Sequence, residues 1–266
     1  MRDAIGPQCA ADWETVTAAF ERALQVGGSA AVSARALFGL RAEFLATDLY
    51  YLIADAASMA TQYGHKRSLC ASLASITARS KDANETRAAF AAWVRTFWGA
   101  AFARGCFYDS ECLRDASRAA EWQPTSRAWR WQKCNEVAYL QPAPSRMPLR
   151  SRHLTLRALT AQCAHIFGGA PSPYAGPAAG ARAALQTYGG AAHLNASRIF
   201  FSDFSDDPWQ RASVRRTLSP ELPYSYVRCE GCGHCMDLHA ANATTDPPQL
   251  RDSRARFEKL LTEWLR

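Results

Sequence analysis

Over the first hundred residues nothing alternates between apolar and polar as a strand does. Apolar side chains return instead every three or four positions, a period that commits this part of the chain to helices. Trp13, Val16, Phe20 and Leu24 share one face, and Leu45, Leu49, Leu52, Ala56 and Met59 form a second stripe that ends at Gly64. Phe90, Val94, Phe97 and Ala101 make a third, with Gly105 placed to cap its C-terminus. The reading is a helical bundle over about residues 1–120. With 48% of 266 residues hydrophobic, there is core material for one large domain or two smaller ones.

From about Trp129 the texture changes. Val137-Ala138-Tyr139-Leu140, Arg198-Ile199-Phe200-Phe201 and Tyr224-Ser225-Tyr226-Val227 are short β-branched or aromatic runs between turn signals, the pattern of strands. The Gly-, Pro- and Ala-rich stretch 168–181 reads as a surface loop. The last segment returns to helix, with Leu250, Phe257, Leu260, Leu261 and Trp264 on one side. Strand, loop, strand, loop, helix is the order at the end of a doubly wound α/β sheet. The longest run without a charged residue, Ala158 to Ala181, is interrupted too densely by glycine and proline to be a membrane span. The net charge of +7 is scattered rather than gathered into a nucleic-acid-binding motif.

Two loops that follow strands carry the chemistry. Ser202-Asp203-Phe204-Ser205-Asp206-Asp207-Pro208-Trp209 follows the second apolar run, and Gly231-Cys232-Gly233-His234-Cys235-Met236-Asp237-Leu238 follows the third. A carboxylate at the end of one strand and a histidine at the end of the next suit an α/β-hydrolase, where the acid orients the imidazole and stabilises its protonated form. The chain order serine, acid, histidine is the one that fold uses. Two plainer readings stay open: Asp before Pro is a common turn former, and a lone histidine is often structural.

These residues resemble the serine peptidases that include lysosomal Pro-Xaa carboxypeptidase, dipeptidyl peptidase II and the thymus-specific serine protease. The likeness is carried by Trp131-Gln132-Lys133-Cys134-Asn135-Glu136, Tyr188-Gly189-Gly190 through Asn195 to Phe201, Asp207-Pro208-Trp209, Gly233-His234-Cys235-Met236-Asp237-Leu238 and the terminal Trp264-Leu265. Asp48 to Asp55 and Gln62-Tyr63-Gly64 resemble the family's helical insert. The resemblance implies the C-terminal part of an α/β-hydrolase sheet (121–266) beneath a helical cap (1–120). It makes Asp207 the triad acid, in preference to Asp206, and His234 the general base. No cofactor is implied. The expected partner is a peptide substrate, with no nucleic acid and no membrane span, and a homodimer is left open.

The departure is at the nucleophile. No Gly-x-Ser-x-Gly elbow is present, and the nearest match, Gly27-Gly28-Ser29-Ala30-Ala31, follows a helix and lacks the last glycine. The family's serine lies upstream of the insert, so the expectation is a chain that lacks it, without hydrolytic activity of its own. Met1 to Gln8 likewise lack the features of a signal peptide. Nine cysteines and the sequons at Asn84, Asn195 and Asn242 point to an oxidising compartment, extracellular or lysosomal. Asn84 also reads as a helix N-cap.

Within the resemblance Cys134 and Cys163 match a family disulfide, Cys9 with Cys70 would clamp the bundle, and Cys106 is close enough to Cys112 for a local bridge. One of Cys229, Cys232 and Cys235 is then left free or paired outside the chain. The spacing of those three also describes a zinc knuckle completed by His234 or His239, and a non-catalytic binding protein is the other alternative. On the substrate side, Asp48, Asp55 and Gln62 are seven apart and share a helix face that could hold a peptide amine, although a solvated face has the same spacing. Glu136 and Trp209 are candidates for a pocket wall or for ordinary core.

Overall fold

The computed structural model describes residues 2–122, 124–146, 148–169, 174–191 and 194–266, the side chains of residues 122 and 124 aside. They fall into two compact units: residues 7–57 with 70–187, and residues 1–6, 58–69 and 188–266. The chain thus does not divide near residue 120, because helices continue to residue 188 and pack with those before them.

The larger unit is helical. After α1 (Arg2–Ile5), which belongs to the other unit, come α2 (Pro7–Val26), α3 (Gly28–Ala36), α4 (Ala46–Gln62), α5 (Lys66–Arg79), α6 (Ala83–Trp98), α7 (Ala101–Arg104), α8 (Ser110–Arg114), α9 (Ala116–Trp122), α10 (Pro124–Asn135), α11 (Leu156–Phe167) and α12 (Pro177–Tyr188); the end of α4 and the start of α5, residues 58–69, belong to the smaller unit. The stripe on α2 does what its period predicts: Trp13, Val16 and Phe20 are buried, with Phe20 packed edge-on to Phe90 of α6. A second cluster gathers Leu113, Ile166 and Phe167 around the disulfides Cys106–Cys112 and Cys134–Cys163, while Cys9–Cys70 ties α2 to α5. Asp82, Asp109 and Thr155 cap α6, α8 and α11 by accepting backbone N–H groups.

Several local expectations change. Asn84 is not the cap of α6; Asp82 is, and Asn84 lies in the first turn. Gly99 ends α6, leaving Gly105 to cap the short α7. Ser29 stands in the first turn of α3, as a helix start. The stretch 168–181 is not all loop: residues 170–173 lie outside the described residues, and Pro177 opens α12. Val137–Leu140 is not a strand. Ala138 adopts a left-handed φ of 52°, and Leu140 packs against the Phe167 cluster, so the run is used by helices rather than by a sheet.

The smaller unit holds the described strands, β1 (Phe201–Phe204) and β2 (Tyr224–Val227), parallel and in register from Phe201 opposite Tyr224 to Phe204 opposite Val227. Sheet content is therefore small beside helix. Phe204 and Val227 pack with Leu250 of α13 (Pro248–Trp264) and with Cys232. Of the apolar stripe on α13 only Leu250 is buried; Phe257 and Leu261 are each 40% exposed. Among the described residues no helix is long and apolar enough to cross a membrane.

Candidate active site

Both strands of the smaller unit end at the same level and release loops side by side. Ser205 N–H donates to Val227 O at 3.0 Å, extending the ladder one step beyond the strands. The β1 loop then turns at Asp207, whose Oδ1 accepts the Trp209 N–H at 2.8 Å and starts the 3-10 turn Pro208–Ala212. The other oxygen is free for a different partner. Oδ2 lies 2.8 Å from Nδ1 of His234. A single carboxylate thus forms the turn through one oxygen and meets the imidazole through the other.

His234 reaches this position because its loop lies directly on the chain at the end of α4. Its N–H donates to Gln62 O at 2.6 Å. Gly233 is what permits the approach, since a Cβ there would sit 2.2 Å from Gln62 O. The Gln62 side chain accepts from the indole of Trp209 at 3.2 Å, so one residue holds both the imidazole loop and the tryptophan. The rings of Tyr63 and Trp209 flank the imidazole at 6.3 and 6.2 Å. Cys235, left-handed at φ 57°, turns the chain into the next 3-10 turn, and Arg254 fixes that segment by donating to the carbonyls of Met236 and His239.

Electrostatics follow from this arrangement. The hydrogen bond to buried Asp207 holds the His234 imidazole above its ordinary value against the opposing effect of burial, and the negative charges of Asp207 and Asp237 add to the rise. With Nδ1–H engaged by the carboxylate, Nε2 becomes the proton-accepting nitrogen. Among the described residues none makes a hydrogen bond to Nε2. Burial, reinforced by Asp207 and Asp237, raises the Cys235 thiol, which therefore stays protonated near neutral pH and is a poor nucleophile.

A cavity of about 680 Å³ opens beside Asp207, its walls of mixed charge, with Lys66, Arg211, Arg215 and Arg228 facing the same space as Asp3, Asp206, Asp207 and Glu230. The zinc alternative loses two ligands, because Cys229 and Cys232 are joined in a disulfide and only Cys235 is a free thiol. Among the described residues no group of three or more His, Cys, Asp or Glu side chains is placed to hold a metal ion.

The other candidates belong to the helical unit. Asp48 is fully buried and already occupied: Oδ2 accepts from Ser110 N at 2.8 Å, and Oδ1 accepts from Ser110 Oγ at 2.7 Å and Gln162 Nε2 at 2.6 Å. It is a structural carboxylate, not a free one on a solvated or substrate-facing surface. Asp55 accepts the Tyr108 hydroxyl at 2.9 Å, and Glu136 is exposed in the turn after α10. Sequence reasoning missed what Gln62, Lys66 and Asp206 do. The available signal was the glycine pair Gly64 and Gly233, which marks backbone passing close to backbone.

A family described as serine carboxypeptidase S28 matches residues 5–257. The chain is 29% identical to the probable serine protease EDA2 of Arabidopsis thaliana over 89% of its own length and 45% of that protein's. It is also 29% identical to the thymus-specific serine protease of Mus musculus, covering 53% of this chain and 26% of the relative. A probable extracellular serine carboxypeptidase of Arthroderma benhamiae is 29% identical over 59% of this chain and 23% of the relative. The chain thus spans less than half the length of each.

Proposed function

This chain belongs to the serine carboxypeptidase S28 family, and we propose that it contributes the acid and base of a serine-type exopeptidase that cleaves peptides near proline at a chain end. The observation that carries this is the 2.8 Å contact between Asp207 and His234, at the ends of adjacent parallel strands. In the proposed reaction a serine hydroxyl attacks the peptide carbonyl while His234 Nε2 takes its proton and returns it to the leaving amine. Asp207 fixes the tautomer and stabilises the imidazolium. β1 and β2 are read as the last strands of an α/β-hydrolase sheet, and the helices as its cap. The disulfides and the exposed asparagines of the three sequons support passage through the secretory pathway.

Trp209 and Tyr63 offer flat apolar faces beside the imidazole. Arg211 and Arg228 are exposed in the neighbouring cavity and suit a peptide carboxylate. Asp48, by contrast, has its acceptors filled. The chain end held is therefore proposed to be the carboxyl end.

The absence of a described hydroxyl at Nε2 favours a second reading, a non-catalytic peptide-binding protein on the same scaffold. Both readings predict that a fluorophosphonate probe labels no serine in the 266-residue chain. Both also predict that a prolyl peptide with a free carboxylate perturbs the NMR signals of His234 and the Trp209 indole, and that its amide binds at least tenfold more weakly. A labelled serine overturns the division of labour. Peptide-induced shifts remote from both residues, or equal binding of the amide, overturn the assigned site.

A further inference from the structure

Asp206, the neighbour of the acid, is not used by the proposed reaction, yet its side chain is only 1% exposed. Its Oδ1 accepts from Lys66 Nζ at 2.8 Å and its Oδ2 from the Gly231 N–H at 2.9 Å, while its own N–H donates to Cys232 O at 3.0 Å. Ser205 beside it donates its hydroxyl to Cys229 O at 2.9 Å. The loop carrying Asp207 is thus stitched, residue by residue, to the loop carrying His234.

From this we infer that Asp206 is a positioning residue: it fixes the height of the His234 loop so that the imidazole meets Asp207. The inference rests on the reading of Asp207 and His234 as acid and base. Its physical basis is an asymmetry. A buried ion pair is weak evidence for net stability, because desolvation offsets the attraction. Its directional hydrogen bonds, however, set geometry strictly, because a buried N–H left without an acceptor is costly. Gln62 O already holds the His234 N–H, while Gly231, with a φ of 73°, is a glycine that does not resist a shift by itself. Asp206 supplies the restraint it lacks. Lys66, 21% exposed, occupies the other oxygen of that carboxylate and so does not compete with Gly231.

The test uses the whole chain carrying Asp206→Ala or Asp206→Asn, with Asp207→Asn as reference. Two readouts are followed by NMR: the titration of His234, and the downfield Nδ1–H signal of its bond to a carboxylate. Asp206→Ala should move the titration down toward that of Asp207→Asn and lose the downfield signal in protein that remains folded. Asp206→Asn, which offers one oxygen to two donors, should give an intermediate result. A change of nearby charge alone, including the unpaired Lys66, would move the titration but leave the downfield Nδ1–H signal in place, so the signal separates lost geometry from lost charge. If whichever variant folds shows the wild-type titration and signal and only a lower melting temperature, Asp206 is merely structural and the inference fails. If Asp207→Asn itself leaves the titration unmoved, it is the underlying acid–base reading that fails.

Discussion

Asp48→Ala is expected to destabilise the helical unit by about 3–5 kcal/mol. The carboxylate is fully buried and receives three donors, Ser110 N, Ser110 Oγ and Gln162 Nε2. Removing it leaves all three in the protein interior, at about 1–3 kcal/mol for each one unpaired, less than additively. Gln162 also accepts from Arg130 at 3.0 Å, and the Arg130 guanidinium lies 4.9 Å from the centre of the Tyr51 ring, so the loss extends to two further side chains. Against a total stability of about 5–15 kcal/mol this is a large fraction. Urea unfolding followed by helical circular dichroism should show a midpoint lower by about 1–2 M. A midpoint within about 0.3 M of the parent would mean that Asp48 faces solvent, as a substrate-binding carboxylate would.

The second large effect is expected from Cys9→Ala with Cys70→Ala. This disulfide spans 61 residues, which gives about 4 kcal/mol by loop-closure entropy, against about 2 kcal/mol for the 6-residue span of Cys106–Cys112. Cys9 is buried in the face of α2 that also buries Trp13 and Val16, so alanine removes the cross-link while leaving that packing nearly intact. The melting temperature should fall by roughly 8–16 °C, and the Cys106–Cys112 double alanine should produce about half of that. The opposite ranking would show that native packing, rather than the closed loop, sets the contribution.

Much of the helical unit was legible because a helix is written in contiguous residues. The spacing of Trp13, Val16 and Phe20, or of Phe90 and Val94, contains the helix and its buried face together. Asp207 and His234 could be singled out because strand-end loops are also local, and because the resemblance marked them. What escaped was non-local. Nothing near Asp48 in sequence says that Ser110 and Gln162, 62 and 114 residues away, fill its oxygens. Asp206 looked only like a rival to Asp207, since Lys66 is 140 residues distant. Val137–Leu140 failed for a related reason. Its β-favouring composition expresses burial, which helices can satisfy as well as a neighbouring strand can. The free face of α13 shows the same limit from the other side: an apolar stripe predicts a helix, but not what covers it.

Whether Asp207 and His234 form a working acid–base pair is decided by a titration of His234 in the parent chain and in Asp207→Asn. Pairing raises the imidazole pKa, so its stabilising effect is fully present below the unfolded histidine value of about 6.5 and is lost as pH rises through the raised folded value. The prediction is that His234 in the parent titrates above 6.5 and that Asp207→Asn brings it down, while thermal stability differs between the two proteins more below the unfolded histidine value than at high pH. A His234 that titrates identically in both, at the value of a solvated imidazole, would contradict the account.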